Sequence, residues 1–423
     1  MNVKILSSKI QGRVDAPPSK SYTHRALIMA SLSKSSRVFK PLISDDTCAT
    51  FRACESIGAS ITKVRDEFIV DGVGGKPEVP ENVIDCANSG TTLRFMVAVC
   101  SLIDGISILT GDSSLRKRPN TPLVDALNEL GAHVESSKEN GAAPIVVKGV
   151  LRGGRSNIIS PISSQFISAL LIACPLCQND TTLNVHDIRS RPYVEMSLEL
   201  LKNAKINVIT DFQEFMIPGA QEYSDMDFYV PGDFSSASFH LAAAAITNSK
   251  LTVHSLTKSR QGDERIVDIL KEMGARVAWK DDEVTVDGAE LKGVKIDASD
   301  IPDLVPILAV LGAFAKGKTE ICNVSHLRYK ETDRLLAMTT ELSKMGVDIK
   351  GTGESLIIKG TKPVGTRLHG YGDHRIVMAL SVAGLASEGE TQIDTAESTQ
   401  VSYPDFFDDL FALGANIEPV PNE

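Results

Sequence analysis

The sequence predicts an α/β protein with two domains, each built from three β-α-β-α-β-β repeats. The chain has 423 residues, of which 42% are hydrophobic, so it can bury more than one core. A phrase in which an amphipathic helix gives way to a strand recurs six times, as in ESIGASI, NELGAHV and KEMGARV. The recurrences lie 73, 72, 71, 72 and 68 residues apart, measured between Gly58, Gly131, Asn203, Gly274, Gly346 and Gly414.

Each of these six residues is expected to end a helix, because glycine and asparagine tolerate the left-handed conformation that follows a last helical turn. The stretches after them, such as VAWKDDEVTVDG and DIKGTGESLIIKG, alternate in polarity around a central turn and predict hairpins. The other half of each repeat begins with a polar cluster that leads into an apolar helix and then a strand. SGTTLRFMVAVCSL and FSSASFHLAAAAI are two examples.

The sixth repeat stops before its last strand, and VKILSSKIQG at the start of the chain can supply that strand. We therefore expect residues 1–13 to pack with the C-terminal half. The predicted domains are 14–228 and, as the second, 1–13 together with 229–423. The chain then crosses between domains near 13–17 and 222–232, which predicts a hinge.

Composition and charge argue against several classes of protein. The formal net charge is −10 and aromatic residues make up 5%, so a general nucleic-acid-binding surface is not expected. Apolar stretches such as 167–176 and 304–315 are too short or too interrupted to span a bilayer, and the first residues lack the apolar run of a signal peptide. Seven scattered cysteines predict a reducing compartment. We expect a cytoplasmic protein with no nucleic-acid or membrane partner.

The helix starts and the loops after paired strands together predict a site for an anion. Free N–H groups at a helix N-terminus favour negative charge, and these helices begin with Ser, Thr, Gly and Asp. Basic residues recur in the loops: Arg116, Lys117, Arg118, Arg189, Arg191, Lys258, Arg260, Arg328, Lys330 and Arg334. Each feature alone is equally typical of a helix cap or a solvated loop. Their recurrence favours a cationic cleft for a ligand with more than one charged group.

The segment PPSKSYTHR, residues 17–25, resembles the phosphate-facing entry of the 5-enolpyruvylshikimate-3-phosphate synthase family, whose signature is Pro-Ser-Lys-Ser with a nearby Arg. Further segments resemble the family in its own order along nearly the whole chain: NSGTTLRF (88–95), RKRP (116–119), SSQF (163–166), SRPY (190–193), IPD (301–303), KETDR (330–334) and GDHR (372–375). The resemblance implies two domains of the inside-out α/β barrel type, in agreement with the repeats.

The resemblance also implies a reaction. The enolpyruvyl group of phosphoenolpyruvate moves to the 5-hydroxyl of shikimate 3-phosphate, in aromatic amino-acid synthesis, and phosphate is released. It implies no cofactor and no metal, competition by glyphosate at the phosphoenolpyruvate site, and small-molecule substrates as the partners of a monomer. By the same resemblance Asp303 is the base near the 5-hydroxyl, Glu331 handles the methylene proton, and Lys20 touches both substrates and stabilises the leaving phosphate.

The remaining site residues are also implied by the resemblance. Those for phosphoenolpyruvate are Lys20, Gly90, Thr91, Arg118, Gln165, Arg334 and Arg375. Those for shikimate 3-phosphate are Lys20, Ser21, Arg25, Ser163, Ser164, Gln165, Ser190, Tyr193, Asp303 and Lys330. Spacing alone favours a helix cap as the interpretation of Asp303, and it is equally compatible with Glu331 as an ion-pair partner of Lys330 or Arg334 on a solvated turn.

Two positions depart from the family pattern. His326 stands where many members have an Asn that contacts shikimate 3-phosphate, so the resemblance does not imply that contact for this chain. Val401, in VSYPD, stands where some members carry a Lys that contacts phosphoenolpyruvate. Neither departure removes a proposed acid or base.

Two further motifs are interpreted as structural, with no catalytic or ligand-binding role. GAFAKGKT (312–319) fits a phosphate-binding loop pattern, but a helix precedes it and a strand follows it, so we interpret it as a connecting turn. Cys174 and Cys177 form a lone C-x-x-C at the end of an apolar helix, where buried thiols are expected. The alternatives that stay open are a transferase acting on a UDP-amino sugar, an ATP-dependent enzyme using residues 312–319, and a non-catalytic anion-binding scaffold.

Overall fold

The computed structural model describes residues 1–159 and 162–420. Positions 160–161 and 421–423, which fall within the predicted domains, lie outside the described residues. The chain divides into two compact units. The first, which we call the middle unit, is Pro18–Val230, and the second, the terminal unit, combines Met1–Pro17 with the chain from Pro231 onward.

The helices and strands follow in chain order. The N-terminal strands are β1 (Asn2–Leu6) and β2 (Gly12–Asp15). The middle unit then contains α1 (Lys20–Leu32), β3 (Ser35–Phe39), α2 (Asp45–Ser56), β4 (Ser60–Val64), β5 (Glu67–Asp71), β6 (Ile84–Asp85), α3 (Gly90–Cys100), β7 (Ile106–Thr110), α4 (Thr121–Glu129), β8 (His133–Ser136), β9 (Ile145–Lys148), β10 (Gly154–Ile159), α5 (Gln165–Ala173), β11 (Thr181–His186), α6 (Arg191–Asn203), β12 (Ile209–Thr210), β13 (Glu214–Ile217) and β14 (Asp227–Tyr229). The terminal unit continues with α7 (Phe234–Ile246), β15 (Lys250–His254), α8 (Ile266–Glu272), β16 (Arg276–Lys280), β17 (Glu283–Asp287), β18 (Lys295–Asp297), α9 (Val305–Phe314), β19 (Lys318–Cys322), α10 (Arg334–Lys344), β20 (Asp348–Gly351), β21 (Ser355–Lys359), β22 (Arg367–Leu368), α11 (His374–Ala386), β23 (Glu390–Ile393), α12 (Phe406–Ala412) and β24 (Asn416–Val420).

The described strands form six four-stranded sheets that share one pattern. In the sheet β6-β7-β9-β8, the first two strands are parallel, and β9 is antiparallel to both β7 and β8. The same order recurs in β14-β3-β5-β4, β10-β11-β13-β12, β2-β15-β17-β16, β18-β19-β21-β20 and β22-β23-β1-β24. The predicted α/β repeat architecture is therefore confirmed.

The two helices of a repeat differ in burial. The first helices, such as α7 and α9, are buried on nearly every side, as expected for helices without a polar face. In the terminal unit, α7, α9 and α11 contact one another in the centre of the core. The second helices, such as α4 and α6, bury one stripe and expose the other. The buried helices therefore hold their N-terminal turns in fixed positions within each unit.

Two strands, β2 and β14, lie at the chain crossings. Strand β2, which precedes α1, pairs in parallel with β15 of the terminal unit, and β14, which precedes α7, pairs in parallel with β3 of the middle unit. Each crossing strand thus completes a sheet of the unit that the chain is leaving, and the unit boundaries fall at Pro17/Pro18 and Val230/Pro231. The boundaries drawn from the sequence, after residues 13 and 228, cut through β2 and β14, because the repeat period does not mark the residue at which a crossing strand ends.

Strand β1 takes the position that the incomplete sixth repeat requires. It lies between β23 and β24 and is antiparallel to both, with Val3 opposite Ile393 and Pro419. The predicted packing of residues 1–13 with the C-terminal half is confirmed.

One of the six predicted helix ends is displaced. Five of the predicted glycines have positive φ, but Asn203 is the last residue of α6, and the left-handed residue is Lys205, at φ 62°. Asn203 keeps a helical conformation, and the left-handed turn comes two residues later, because asparagine permits such a turn without requiring it. The segment GAFAKGKT is a connecting turn between α9 and β19, as predicted, and Cys174 and Cys177 are buried free thiols.

Candidate active site

The N-terminal turn of α1 carries Lys20 and is held from two sides. The Lys20 ammonium contacts Asp46 of α2 at 2.9 Å, and both side chains are largely buried. Arg25 is 1% exposed and donates to the carbonyl oxygens of Ser21 and Tyr193, each at 2.9 Å. Burial lowers the pKa of Arg25 to about 10. The guanidinium therefore joins the first turns of α1 and α6, close to two of the residues predicted to hold shikimate 3-phosphate.

A buried chain of hydrogen bonds aligns α1, α2 and α3. His24 Nδ1 contacts the Thr50 hydroxyl, which contacts that of Thr92, which in turn donates to Ser89, the N-cap of α3. Burial, with Lys20 and Arg25 nearby, holds the pKa of His24 well below its usual value, so the imidazole is neutral. This chain places the first turn of α3 relative to Lys20.

The first turns of α3 and α5 meet through Gln165. Its amide donates to the Thr91 hydroxyl at 2.8 Å and accepts from Arg94 at 2.5 Å. Arg94 also donates to Asn120 and lies over the Phe166 ring, which fixes its guanidinium plane. Ser163 accepts from the backbone N–H of Gln165, and the buried Ser164 is the residue before α5.

Arg118 lies beside Gly90, the first residue of α3. Its guanidinium donates to Asn88 at 2.9 Å and to Ser114 at 3.3 Å. A Cβ at Gly90 would lie 3.2 Å from the Arg118 guanidinium and 3.5 Å from that of Arg94. The absence of a side chain thus lets two cations approach a helix N-terminus, an arrangement suited to a phosphate group.

Ser190 precedes α6 in the left-handed conformation, at φ 56°, and is buried. Its carbonyl accepts from the N–H of Tyr193. Together with Lys20, Ser21, Arg25 and the α3 and α5 turns, these residues form what we call the middle cluster.

A second cluster, the terminal cluster, forms around Arg334 at the start of α10. The guanidinium is 2% exposed and donates to Asp303 at 3.0 Å, Glu331 at 2.7 Å and Asp373 at 2.8 Å. Arg375, in the first turn of α11, donates to the other Asp303 oxygen at 3.0 Å. Asp303 is therefore not an N-cap; it is bound between two guanidinium groups, and its side chain is 17% exposed.

The charges of the terminal cluster stabilise one another. Burial disfavours ionised Asp303, but Arg375, Lys330 and Arg334 outweigh it and hold its pKa well below the usual range. Burial opposes charge on Arg334 as well, and Asp373, Glu331 and Asp303 raise its pKa. Asp303 is thus an ionised carboxylate whose basicity depends on what occupies its cationic neighbours.

Three other residues of the terminal unit were considered in the sequence analysis of the site. Lys330 directly precedes Glu331 and is half-buried, and His326 is buried in the 3-10 turn Ser325–Tyr329. Val401 ends the 3-10 turn Ala396–Val401 and is half-buried.

Several site residues escaped the sequence reasoning. Arg94 orients Gln165, Asp46 holds Lys20, and Asp373 caps α11 while binding Arg334. Arg94 and Asp373 are contained in recognised motifs and Asp46 lies outside them, but only the folded contacts show what each one holds. Conversely, several of the basic loop residues have local partners: Arg191 pairs with Glu195 and Lys258 lies over Trp279.

Within residues 1–159 and 162–420, no group of three or more His, Cys, Asp or Glu side chains is arranged to hold a metal ion. Across the same part of the chain, no helix combines the length and apolar character needed to cross a membrane.

Comparisons with known proteins place the chain in a family. Residues 6–410 match the model of the family described as EPSP synthase (3-phosphoshikimate 1-carboxyvinyltransferase). The 3-phosphoshikimate 1-carboxyvinyltransferase of Methanocella arvoryzae is 52% identical over 421 residues, covering 99% of this chain and all of that protein. That of Methanothrix thermoacetophila is 55% identical over 420 residues, covering 99% of each. A solved EPSP synthase from Acinetobacter baumannii is 26% identical with a TM-score of 0.84, covering 99% of both chains. The chain therefore belongs to the EPSP synthase family.

Proposed function

We propose that this chain transfers the enolpyruvyl group of phosphoenolpyruvate to the 5-hydroxyl of shikimate 3-phosphate, releasing phosphate. The family membership over nearly the whole chain supports the reaction. The observation that carries the proposal is the buried arrangement of Asp303 between Arg334 and Arg375. This arrangement places a proton acceptor, the Asp303 carboxylate, against two guanidinium groups, which are the side-chain groups best suited to bind carboxylate and phosphate.

The reaction proceeds by addition and elimination. In the addition, the 5-hydroxyl oxygen bonds to C2 of phosphoenolpyruvate, the hydroxyl proton leaves to a base, and C3 gains a proton to become a methyl group. In the elimination, the C2–O bond to phosphate breaks and the methyl group loses a proton, which restores the double bond. Two proton-transfer groups and a stabilised leaving phosphate are therefore required.

The middle cluster is proposed to bind the anionic groups of both substrates. Lys20 at the start of α1 stabilises the departing phosphate, while Arg118 and the open N-terminus beside Gly90 and Thr91 receive it. Ser21, Arg25, Ser163, Ser164, Ser190 and Tyr193 hold shikimate 3-phosphate, and Gln165 contacts both substrates. The contacts of Arg25 and Gln165 support this, since they fix the relative positions of the helix turns from which these groups project.

The terminal cluster is proposed to carry the proton transfers. Asp303 accepts the hydroxyl proton and Glu331 exchanges the proton at C3, while Lys330 assists in holding shikimate 3-phosphate. Arg334 and Arg375 bind phosphoenolpyruvate. Because the same two guanidinium groups stabilise ionised Asp303, a substrate anion that competes for their N–H donors makes Asp303 a stronger base. The base strength of Asp303 thus increases when phosphoenolpyruvate binds.

The proposal also covers the location, the oligomeric state and the cofactor requirement of the protein. We expect a cytoplasmic monomer that needs no metal or cofactor. An ATP-dependent reaction at residues 312–319 is not supported, because the segment joins a helix to a strand instead of a strand to a helix. The UDP-amino sugar remains the competing acceptor.

The test is phosphate release from the two substrates in the presence of a chelator and without ATP. We expect turnover that requires both substrates, and a loss of at least about a hundredfold in kcat for Lys20→Met and for Glu331→Ala. Lys63→Met and Glu388→Ala, which change exposed residues of the same types, are the matched controls and should keep full activity. A folded wild-type protein that is inactive with shikimate 3-phosphate but active with a UDP-amino sugar would contradict the proposal.

A further inference from the structure

Helix α10 contacts the segment before α11 at two levels. Its first residue, Arg334, binds Asp373. Glu341 comes seven residues later, which is two helical turns and about 10 Å along the same face. Although no sequence motif marks it, Glu341 is fully buried.

Both oxygens of the Glu341 carboxylate accept hydrogen bonds from other parts of the terminal unit. One oxygen accepts from the backbone N–H of His369 at 2.9 Å, and the other accepts from the Tyr371 hydroxyl at 2.8 Å. The half-exposed Lys344 ammonium lies 2.9 and 2.8 Å from the two oxygens and offsets their charge. Two of the three partners therefore belong to the segment that leads into α11.

That segment needs anchoring because its backbone is unfavourable. Tyr371 and Gly372 are consecutive residues in the left-handed region, at φ 59° and 63°, and Tyr371 carries a bulky side chain there. From the opposite side, Asp394 accepts from the N–H of Gly370, and Thr395 accepts from that of Gly372. Glu341 is thus the anchor on the α10 side of a turn that ends one residue before Asp373.

We propose that Glu341 is a positioning residue, which holds residues 369–371 so that Asp373 and Arg375 keep their places against Arg334 and Asp303. It touches no reacting group itself and acts through the turn. The inference rests on the proposed function in one respect, namely that Arg375 binds phosphoenolpyruvate. Loss of the anchor should therefore weaken phosphoenolpyruvate binding more than shikimate 3-phosphate binding.

The experiment is steady-state kinetics of the full chain with Glu341→Gln, Tyr371→Phe and the double variant. For Glu341→Gln we expect the KM for phosphoenolpyruvate to rise about tenfold, the effect of weakening one charged hydrogen bond, while that for shikimate 3-phosphate stays within about twofold. Tyr371→Phe removes a single hydroxyl group, so it should raise the KM for phosphoenolpyruvate by a smaller factor than Glu341→Gln does. The KM of the double variant for phosphoenolpyruvate should be little higher than that of Glu341→Gln, because both substitutions disrupt the same contact between Glu341 and Tyr371.

Two controls separate positioning from general stability. Ile358→Val makes a small cavity in the core of the same unit and should leave both KM values unchanged. Lys344→Met removes the exposed partner but leaves both turn contacts, so its KM for phosphoenolpyruvate should change less than twofold.

Equal rises in both KM values, an unchanged KM for phosphoenolpyruvate in both single variants, or additive effects in the double variant would overturn the inference. A wild-type protein that is inactive with both substrates would instead overturn the proposed function, so the two failures are distinguishable.

Discussion

Among single residues, Asp263 shows how burial alters chemistry near the terminal cluster. It lies in the 3-10 turn Gly262–Arg265, is 2% exposed, and accepts a hydrogen bond from Ser235 in the first turn of α7. Burial, together with the negative charge of Asp303, raises its pKa to about 7, against the lowering influence of Arg375 and Ser235. Asp303 of the terminal cluster and the neighbouring Asp263 thus have pKa values shifted in opposite directions.

The raised pKa of Asp263 makes the stability of the terminal unit fall with pH. An unfolded Asp titrates near pH 4, so between about pH 4 and 7 the folded chain keeps a proton that the unfolded chain releases. The free energy of unfolding therefore decreases as pH rises through this window. Asp263→Asn has no carboxyl group to titrate at this position. Between pH 5 and pH 8 the free energy of unfolding of the wild type should therefore fall by on the order of 2–3 kcal/mol more than that of Asp263→Asn.

Urea unfolding at the two pH values measures this difference. The single tryptophan, Trp279, packs against Phe234 in the terminal unit, so its fluorescence reports on that unit. Asp268→Asn, at an exposed position in α8, is the matched control. Parallel stability curves for wild type and Asp263→Asn would show that Asp263 titrates normally.

At the scale of elements, β1 joins the two ends of the chain. It pairs on both sides, with β23 and β24, and Ile5 points its fully buried side chain into the terminal core. The sixth sheet is therefore completed by residues that are distant in sequence from all of its other strands.

Ile5→Ala should destabilise the terminal unit by about 2–5 kcal/mol, because the deleted carbons leave a cavity between strands that are fixed on both sides. Val364→Ala, at a side chain that is 52% exposed, should change stability by less than about 0.5 kcal/mol. Trp279 fluorescence during urea unfolding serves as the measurement. Equal stability of the two variants would mean that β1 contributes little to the sheet.

Elements also show what could be predicted from sequence. Helix ends, hairpins and buried helices followed from residue patterns within about 20 neighbouring positions, and five of the six predicted helix ends are left-handed glycines. Asn203 was wrong because asparagine permits a left-handed turn without requiring one. The partners of β2 and β14 were not predicted, because hydrogen-bonded pairing between distant strands leaves no periodic signal in either strand.

For the whole molecule, the sequence predicts a hinge at the two chain crossings, and the proposed reaction draws on groups from both units. We therefore expect the closed form to be favoured when shikimate 3-phosphate is bound, which excludes water from the reacting enol phosphate. Small-angle scattering should show a smaller radius of gyration with shikimate 3-phosphate than without it. Shikimate, which lacks the phosphate, is the matched ligand control and should have less effect. An identical radius in all three samples would contradict closure.

The sequence by itself determined the repeat, the two-domain α/β class, the family and the motifs that contain the proposed site, because these depend on local periodicity and on short residue patterns. The tertiary structure decided which charges meet. Asp303, Arg334, Arg375 and Asp373 come from three separate segments, and only the fold brings Asp303 between two guanidinium groups, which keep it ionised against the effect of burial. Glu341 is the clearest case, since its function depends on a turn 28 residues away that no pattern links to it. Burial and long-range contact convert ordinary charged residues into a site, and both arise only when the chain has folded.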